Sequence, residues 1–156
     1  MMDIQKGGVS LTVNAAIFLT PKHDVAFLYH DCTLRQGLEK MRSSGYTAIP
    51  VIKRDGTYVG IAREGDFLWH IIEKSDDGAI CLRDLENVRL PQIMQTEKFP
   101  AARITSHMEE LLEYALVQNF VPIVDDENKF IGIVTRHRIM KYLTGQQGIH
   151  REAIAK

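Results

Sequence analysis

AIPVIKRDGTYVGIAREGDFLWHI (residues 48–71) and FVPIVDDENKFIGIVTRHRIMKYL (residues 120–143) align with no gap. Pro50 matches Pro122 and Gly60 matches Gly132, each pair 72 positions apart (122 − 50 and 132 − 60). Both copies run apolar strand, polar turn, apolar strand, helix. The predicted strands are Ala48–Ile52 with Tyr58–Ala62, and Val121–Val124 with Phe130–Val134. The turns are KRDGT and DDENK. Asp55-Gly56 is a hairpin signal, because glycine accepts the positive φ that a tight turn requires.

A helical pattern precedes each block. Thr33 can cap a helix carrying Leu34, Leu38 and Met41, closed by Ser43, Ser44 and Gly45. Thr105 or Ser106 can cap the second, carrying Met108, Leu111, Leu112 and Ala115, with Glu109 placed for a capping box. The link from helix to strand is longer in the first copy: Leu34 to Pro50 is 16 positions (50 − 34), and Met108 to Pro122 is 14 (122 − 108). Short leading strands are expected at Val25–Tyr29 and Ala101–Ile104. Each unit is then a three-stranded sheet with helices on one face, and its bare face needs cover. Two units back to back supply it. The expected fold class is α/β (α+β), a pseudo-two-fold pair of small sheets with flanking helices. The expected boundaries are unit 1 at 9–72, a linker at 73–87, unit 2 at 88–144 and a tail at 145–156. Within the linker Cys81, Leu82 and Leu85 are expected to pack in part. The tail is expected to be a frayed helix or part of a dimer contact.

Composition narrows the function. The chain has 156 residues, 45% hydrophobic and 25% charged, which fits a globular domain. A net charge of −1 argues against a general nucleic-acid binder. The start, MMDIQKGG, lacks a basic region feeding an apolar core, so no signal peptide is expected. No apolar run approaches the ~20 residues of a membrane helix. A cytoplasmic location follows as the expectation, with Cys32 and Cys81 as reduced thiols.

Catalytic motifs are not found. The six histidines form no HExxH or metal spacing, and there is no P-loop, GxGxxG or GxSxG. His30 and Cys32 would share a strand face, a weak thiol pair at most. Asp125-Asp126-Glu127 reads as a solvated turn. Trp69 is expected in the core or a dimer interface. Met94, Met108 and Met140 occupy core-like positions. The expectation is a non-enzyme with no metal and no cofactor.

GYTAIPVI (45–52) with GIAREGDF (60–67), and VPIVDDENKFIGIVT (121–135), resemble the cystathionine-beta-synthase (CBS) domain, usually a tandem pair. The resemblance covers roughly residues 9–144. It implies a ligand-binding regulatory module, commonly dimeric, with adenine nucleotides in clefts between the units. GYTAIPV, the Val25-Ala26 pair, NFVPIV and VTRHRI further resemble the small Gram-positive CBS-pair receptors of cyclic di-AMP, the DarB/CbpB group. That group's properties imply a homodimer that binds cyclic di-AMP and contacts other proteins when free of it, a (p)ppGpp synthetase/hydrolase or pyruvate carboxylase among them. Nucleotide-binding CBS units often carry Thr/Ser, two residues, then Asp, the Asp holding ribose. Here the first copy has Arg63 for the Thr and keeps Asp66. The second keeps Thr135 and has Arg138 for the Asp.

The candidate site follows from that comparison. An arginine in place of the ribose acid suits a sugar whose 3′ oxygen bears phosphate. Arg136 and Arg138 stand at a helix start capped by Thr135, where a guanidinium fork and free N–H groups attract an anion. Arg136 is the first candidate for phosphate and Thr135 the second; His137 can stack on a base. Tyr46, Thr47 and Ala48 are candidates for the adenine side, with Val25, Ala26, Phe120 and Val121 as apolar walls or core. The family's lysine before Val25 is replaced by Asp24, and Lys22 is its candidate substitute. Arg63 and Asp66 would serve a second cleft, although Asp66 suits a helix cap equally well. The expected function is a nucleotide-sensing regulatory protein that binds cyclic di-AMP between the units and controls partners by ligand state. The alternatives are an AMP/ADP/ATP-sensing CBS module, or a ligand-free interaction or structural protein.

Overall fold

Gly56 (φ 89°) and Asn128 (φ 61°) occupy the same place in the two copies and turn their hairpins through the left-handed region. Glycine enters that region freely, and asparagine is enriched there among other residues. Asp55 Oδ1 accepts the Thr57 N–H at 2.9 Å, and Asp125 Oδ1 accepts those of Glu127 and Lys129 at 2.9 and 2.8 Å. These turns belong to a computed structural model that describes residues 13–75, 81–95 and 99–146.

In the first unit β3 (Ala48–Ile52) pairs antiparallel with β4 (Tyr58–Arg63), and β2 (Leu28–Tyr29) pairs parallel with β3. Helices α1 (Leu34–Ser44) and α2 (Glu64–Lys74) flank them. The second unit repeats this with β5 (Ala102–Arg103), α3 (Met108–Val117), β6 (Phe120–Val124), β7 (Phe130–Thr135) and α4 (Arg136–Gln146). Both hairpins shift register at the same step, Val51/Ile52 and Ile123/Val124. The four hairpin strands match the expected ones to within one residue. The leading strands are shorter than expected.

The second sheet carries a fourth strand, so the expected three plus three becomes three plus four. β1 (Thr20–Pro21) pairs antiparallel with β7, giving the order β1-β7-β6-β5. Pro21 lacks a donor and sits on the sheet edge, where one is not needed. Gly132 makes this approach possible: a Cβ there would lie 2.2 Å from the Thr20 carbonyl oxygen and 3.1 Å from Pro21 Cα.

The units exchange their leading segments. The Leu34 N–H donates to Val88 O and the Leu90 N–H to Cys32 O, so residues 88–90 hold the start of α1. In the same way the Met108 N–H donates to Val13 O and the Ala15 N–H to Ser106 O at the start of α3. Leu85 and Leu90 are buried in the first core with Leu34, Phe67 and Ile49, whereas Ala15 and Phe18 are buried in the second with Met108, Leu111 and Val134. The chain segments 9–72 and 88–144 are therefore each divided in space.

Between the units, the Tyr58 N–H donates to Asn128 O and the Phe130 N–H to Gly56 O, a symmetric pair of bonds. A third apolar cluster fills the seam: Val25, Ile52, Ile61, Phe99, Phe120, Phe130 and Ile133. The Tyr58 hydroxyl donates to Phe99 O at 2.8 Å, and Lys129 Nζ lies 3.2 Å from Asp55 Oδ2.

Helix ends bear out the first cap and correct the second. Thr33 Oγ1 accepts the Gln36 N–H while Gln36 Oε1 accepts the Thr33 N–H, and Gly45 closes α1 at φ 71°. At α3 the N-cap is His107; Ser106 Oγ turns back to accept the Arg103 N–H, so the expected Ser106–Glu109 box does not form. Of the three linker residues expected to pack, Leu85 is buried, and Cys81 and Leu82 are exposed. Trp69 is 63% exposed and not in the core, and Met140 is exposed too, whereas Met108 is buried. Of the expected tail at 145–156, the first two residues end α4, and residues 147–156 lie outside the described residues.

Candidate functional site

The ends of the two hairpins define the site. In β3 and β4 Ala48 stands opposite Arg63; in β6 and β7 Phe120 stands opposite Thr135. Ala48 and Phe120 both reach the seam. Between them a cavity of about 110 Å³ is lined by residues that include Ala48, Ile61, Arg63, Phe99, Gln118 and Phe120.

Arg63 lays its guanidinium over the Phe99 ring, 4.7 Å from the centroid, a cation–π contact. Its Nε is buried with no partner among the described residues. Asp66 Oδ2 accepts the Arg63 N–H at 2.9 Å, so the helix-cap role expected for Asp66 is realised. Arg136 contacts the Gln118 segment through the backbone carbonyls there. Its Nη2 donates to Gln118 O at 2.9 Å, its N–H donates to Asn119 O, and its Nε is also buried and unpartnered among the described residues. Gln118 is 6% exposed, and neither amide atom has a partner among the described residues. Buried polar groups are nearly always bonded. Here Arg63 and Gln118, both with open bonding positions among the described residues, line one cavity, and Arg136 is tied to it through the Gln118 carbonyl.

The head of α4 is built differently. Thr135 Oγ1 accepts the Arg138 N–H at 3.2 Å, the expected cap. Arg138 Nη1 donates to Phe18 O and Leu19 O, both at 3.1 Å. Its guanidinium is thus engaged on the segment that leads into β1, in contrast with the expectation of a side chain free for phosphate. His137 is exposed. Val25 belongs to the seam, and Ala26 packs on the first core. Val121 is fully buried in the second core. Tyr46 and Thr47 are exposed, and Thr47 O accepts the Glu64 N–H.

Lys22 does not join this group. It follows Pro21, which stands opposite Gly132, and so runs toward the Asn128 turn and away from Thr135 at the other end of β7. Its ammonium lies 5.2 Å from the Phe27 ring centroid. Gln118 and Phe99 were not among the sequence candidates. The 72-residue offset places Gln118 opposite Tyr46 (118 − 46), and that unlike pair was the available signal.

Cys32 lies beyond β2 in a turn, its N–H on Tyr29 O, and shares no strand face with His30. Burial, then the Asp31 carboxylate, pushes its thiol up to about 11. No group of His, Cys, Asp and Glu able to hold a metal occurs among the described residues, and no helix among them is long and apolar enough to cross a membrane.

Comparison with known proteins supports the geometry. The CBS domain profile matches residues 16–73 and 92–145. CbpB in complex with c-di-AMP superposes with a TM-score of 0.76 at 20% identity, over 88% of this chain and 88% of that one. Listeria monocytogenes CbpB in complex with c-di-AMP gives 0.74 at 24% identity, over 86% and 98%. CBSX2 in complex with AMP gives 0.65 at 21%, over 86% and 98%. An uncharacterised Methanocaldococcus jannaschii protein is 25% identical over 74% of this chain and 84% of its own length. The same organism's inosine-5'-monophosphate dehydrogenase is 28% identical over 76% of this chain, which spans only 21% of that enzyme. With both repeats matched and the paired architecture shared, this chain belongs to the CBS domain family as a tandem pair.

Proposed function

We propose that this protein is a regulatory nucleotide sensor that binds cyclic di-AMP in the cleft between its CBS units. CBS modules of this class are non-catalytic regulators. The observation that carries the ligand reading is that the buried Nε–H groups of Arg63 and Arg136 have no partner among the described residues, Arg63 lining the cavity with Gln118 and Arg136 bonded to the Gln118 carbonyl. A cyclic dinucleotide brings two phosphodiesters and two flat bases, and guanidinium forks suit the former. Two superposing CbpB structures hold c-di-AMP. AMP is the second reading, favoured by Asp66, whose cap bond uses Oδ2 and leaves Oδ1 for a ribose hydroxyl.

Exposed apolar side chains on α2 (Leu68, Trp69, Ile72) and α4 (Met140) support a homodimer. The regulated partner is a protein that distinguishes bound from free forms, of the synthetase/hydrolase or carboxylase type that the resemblance implies.

Titration calorimetry with cyclic di-AMP, cyclic di-GMP, AMP and ATP tests the reading. Cyclic di-AMP should bind tightest. Arg136→Ala and Arg63→Ala should each weaken it roughly tenfold or more while circular dichroism stays unchanged, as expected for lost charge-assisted bonds. Binding of AMP alone would replace the first reading by the second. Binding of none of the four would leave an interaction protein without nucleotide control.

A further inference from the structure

We infer that Gln118 reads the base, its carboxamide selecting adenine over guanine in the Arg63 cleft. The inference rests on the nucleotide reading above and names the specificity element of that site.

Three observations lead there. First, polarity is inverted at the end of α3: Leu116 is 81% exposed and Val117 73%, while the polar Gln118 after them is 6% exposed. Packing alone would put the apolar side chains inside. Second, the backbone of Gln118 is fixed on both sides. Its N–H donates to Tyr114 O at 3.1 Å, and its carbonyl accepts Arg136 Nη2. Third, the residue lines the cavity, and its amide Nε2 and Oε1 are buried with no partner among the described residues. A donor and an acceptor are therefore held side by side, desolvated, in a cleft between units.

That pair has a natural complement. Adenine presents an N6–H donor beside the N7 acceptor, and a glutamine amide meets both at once. Guanine presents two acceptors, O6 and N7, so one of them would face Gln118 Oε1. Arg63, seated on Phe99, supplies positive charge on the same wall. The equivalent position in the first copy is the exposed Tyr46, so the repeat does not duplicate this reader there.

The test uses the full chain, with Gln118→Leu and Gln118→Glu variants. Calorimetry compares cyclic di-AMP with cyclic di-GMP, and AMP with GMP; thermal unfolding is followed without ligand. The wild type should prefer adenine by roughly tenfold to a hundredfold, the range of one bidentate base contact. Gln118→Leu should lose most of that preference, with adenine affinity falling and guanine affinity little changed. Its ligand-free Tm should hold or rise, because a buried unpaired amide is removed. Gln118→Glu keeps an acceptor, loses the donor and should also weaken adenine binding. A variant that binds adenine and guanine nucleotides in the wild-type ratio would overturn the base-reading role alone. So would a fall in ligand-free Tm with the ratio intact, which marks a packing role. A wild type that binds no adenine nucleotide would bring down the nucleotide reading, and this inference with it.

Discussion

Cys32 shows how a single environment disarms a reactive group. Its thiol is half-buried, and burial together with the Asp31 carboxylate disfavours the thiolate, raising the pKa from 9.0 to about 11. The thiolate is the nucleophile, so the residue should be inert near neutral pH. Cys81, in contrast, is exposed. Iodoacetamide at pH 8 followed by peptide mapping should modify Cys81 and spare Cys32 in the folded protein. Comparable labelling of both would show that the Cys32 turn opens readily. The same shift has a stability consequence. Below pH 9 the thiol is protonated whether the chain is folded or not. Between about 9 and 11 the unfolded chain ionises first, so stability falls as pH rises through that window.

At the scale of elements, β1 is the piece that departs from the repeat, and Arg138 is what holds it. The guanidinium donates to Phe18 O and Leu19 O just before β1, and Gly132 leaves room for Thr20 and Pro21 against β7. Arg138→Ala should free two carbonyls and cost about 1.5–3 kcal/mol, the range for bonds to a charged group. Hydrogen exchange should quicken in residues 14–21 while the β3–β4 hairpin stays protected; uniform exchange behaviour across the chain would show that Arg138 is dispensable there. Ala48–Ile52 was legible residue for residue, because a contiguous apolar run, a hairpin turn and the 72-residue echo agree. Thr20–Pro21 was not, since two residues with a proline have no periodicity to read. Arg138 illustrates the same limit at the site. Its place at the head of α4 could be read from sequence, but its partners lie 120 and 119 positions away. Gln118 was hidden for another reason. A lone glutamine after a helix reads as solvated, and only the exposure of Leu116 and Val117 reverses that reading.

At the scale of the whole molecule, the exchange of leading segments makes the two units interdependent. Residues 13–15 hold the start of α3, and residues 88–90 hold the start of α1, related by an offset of 75 (88 − 13 and 90 − 15). The first core thus contains Leu85 and Leu90 from the stretch between the hairpins, and the second contains side chains from ahead of the first unit's hairpin. For the second core these are Ala15 and Phe18, with β1 added to the sheet edge. Burying a phenylalanine stabilises by about 1.5–3 kcal/mol, a large share of what so small a unit retains. A fragment of residues 88–156 lacks these groups, and it also exposes Phe120, Phe130 and Ile133, which the first unit covers at the seam. It should give a collapsed NMR spectrum with little dispersion. A synthetic peptide of residues 13–24 should restore part of that dispersion by refilling the Ala15–Phe18 position and re-forming β1. A fragment well dispersed on its own would mean that the exchange positions the units without stabilising them. In that case ligand binding at the seam could move one unit against the other at little cost. Interdependent cores instead require that any ligand-driven change shift both units together, so nucleotide binding should raise a single cooperative unfolding transition instead of one of two.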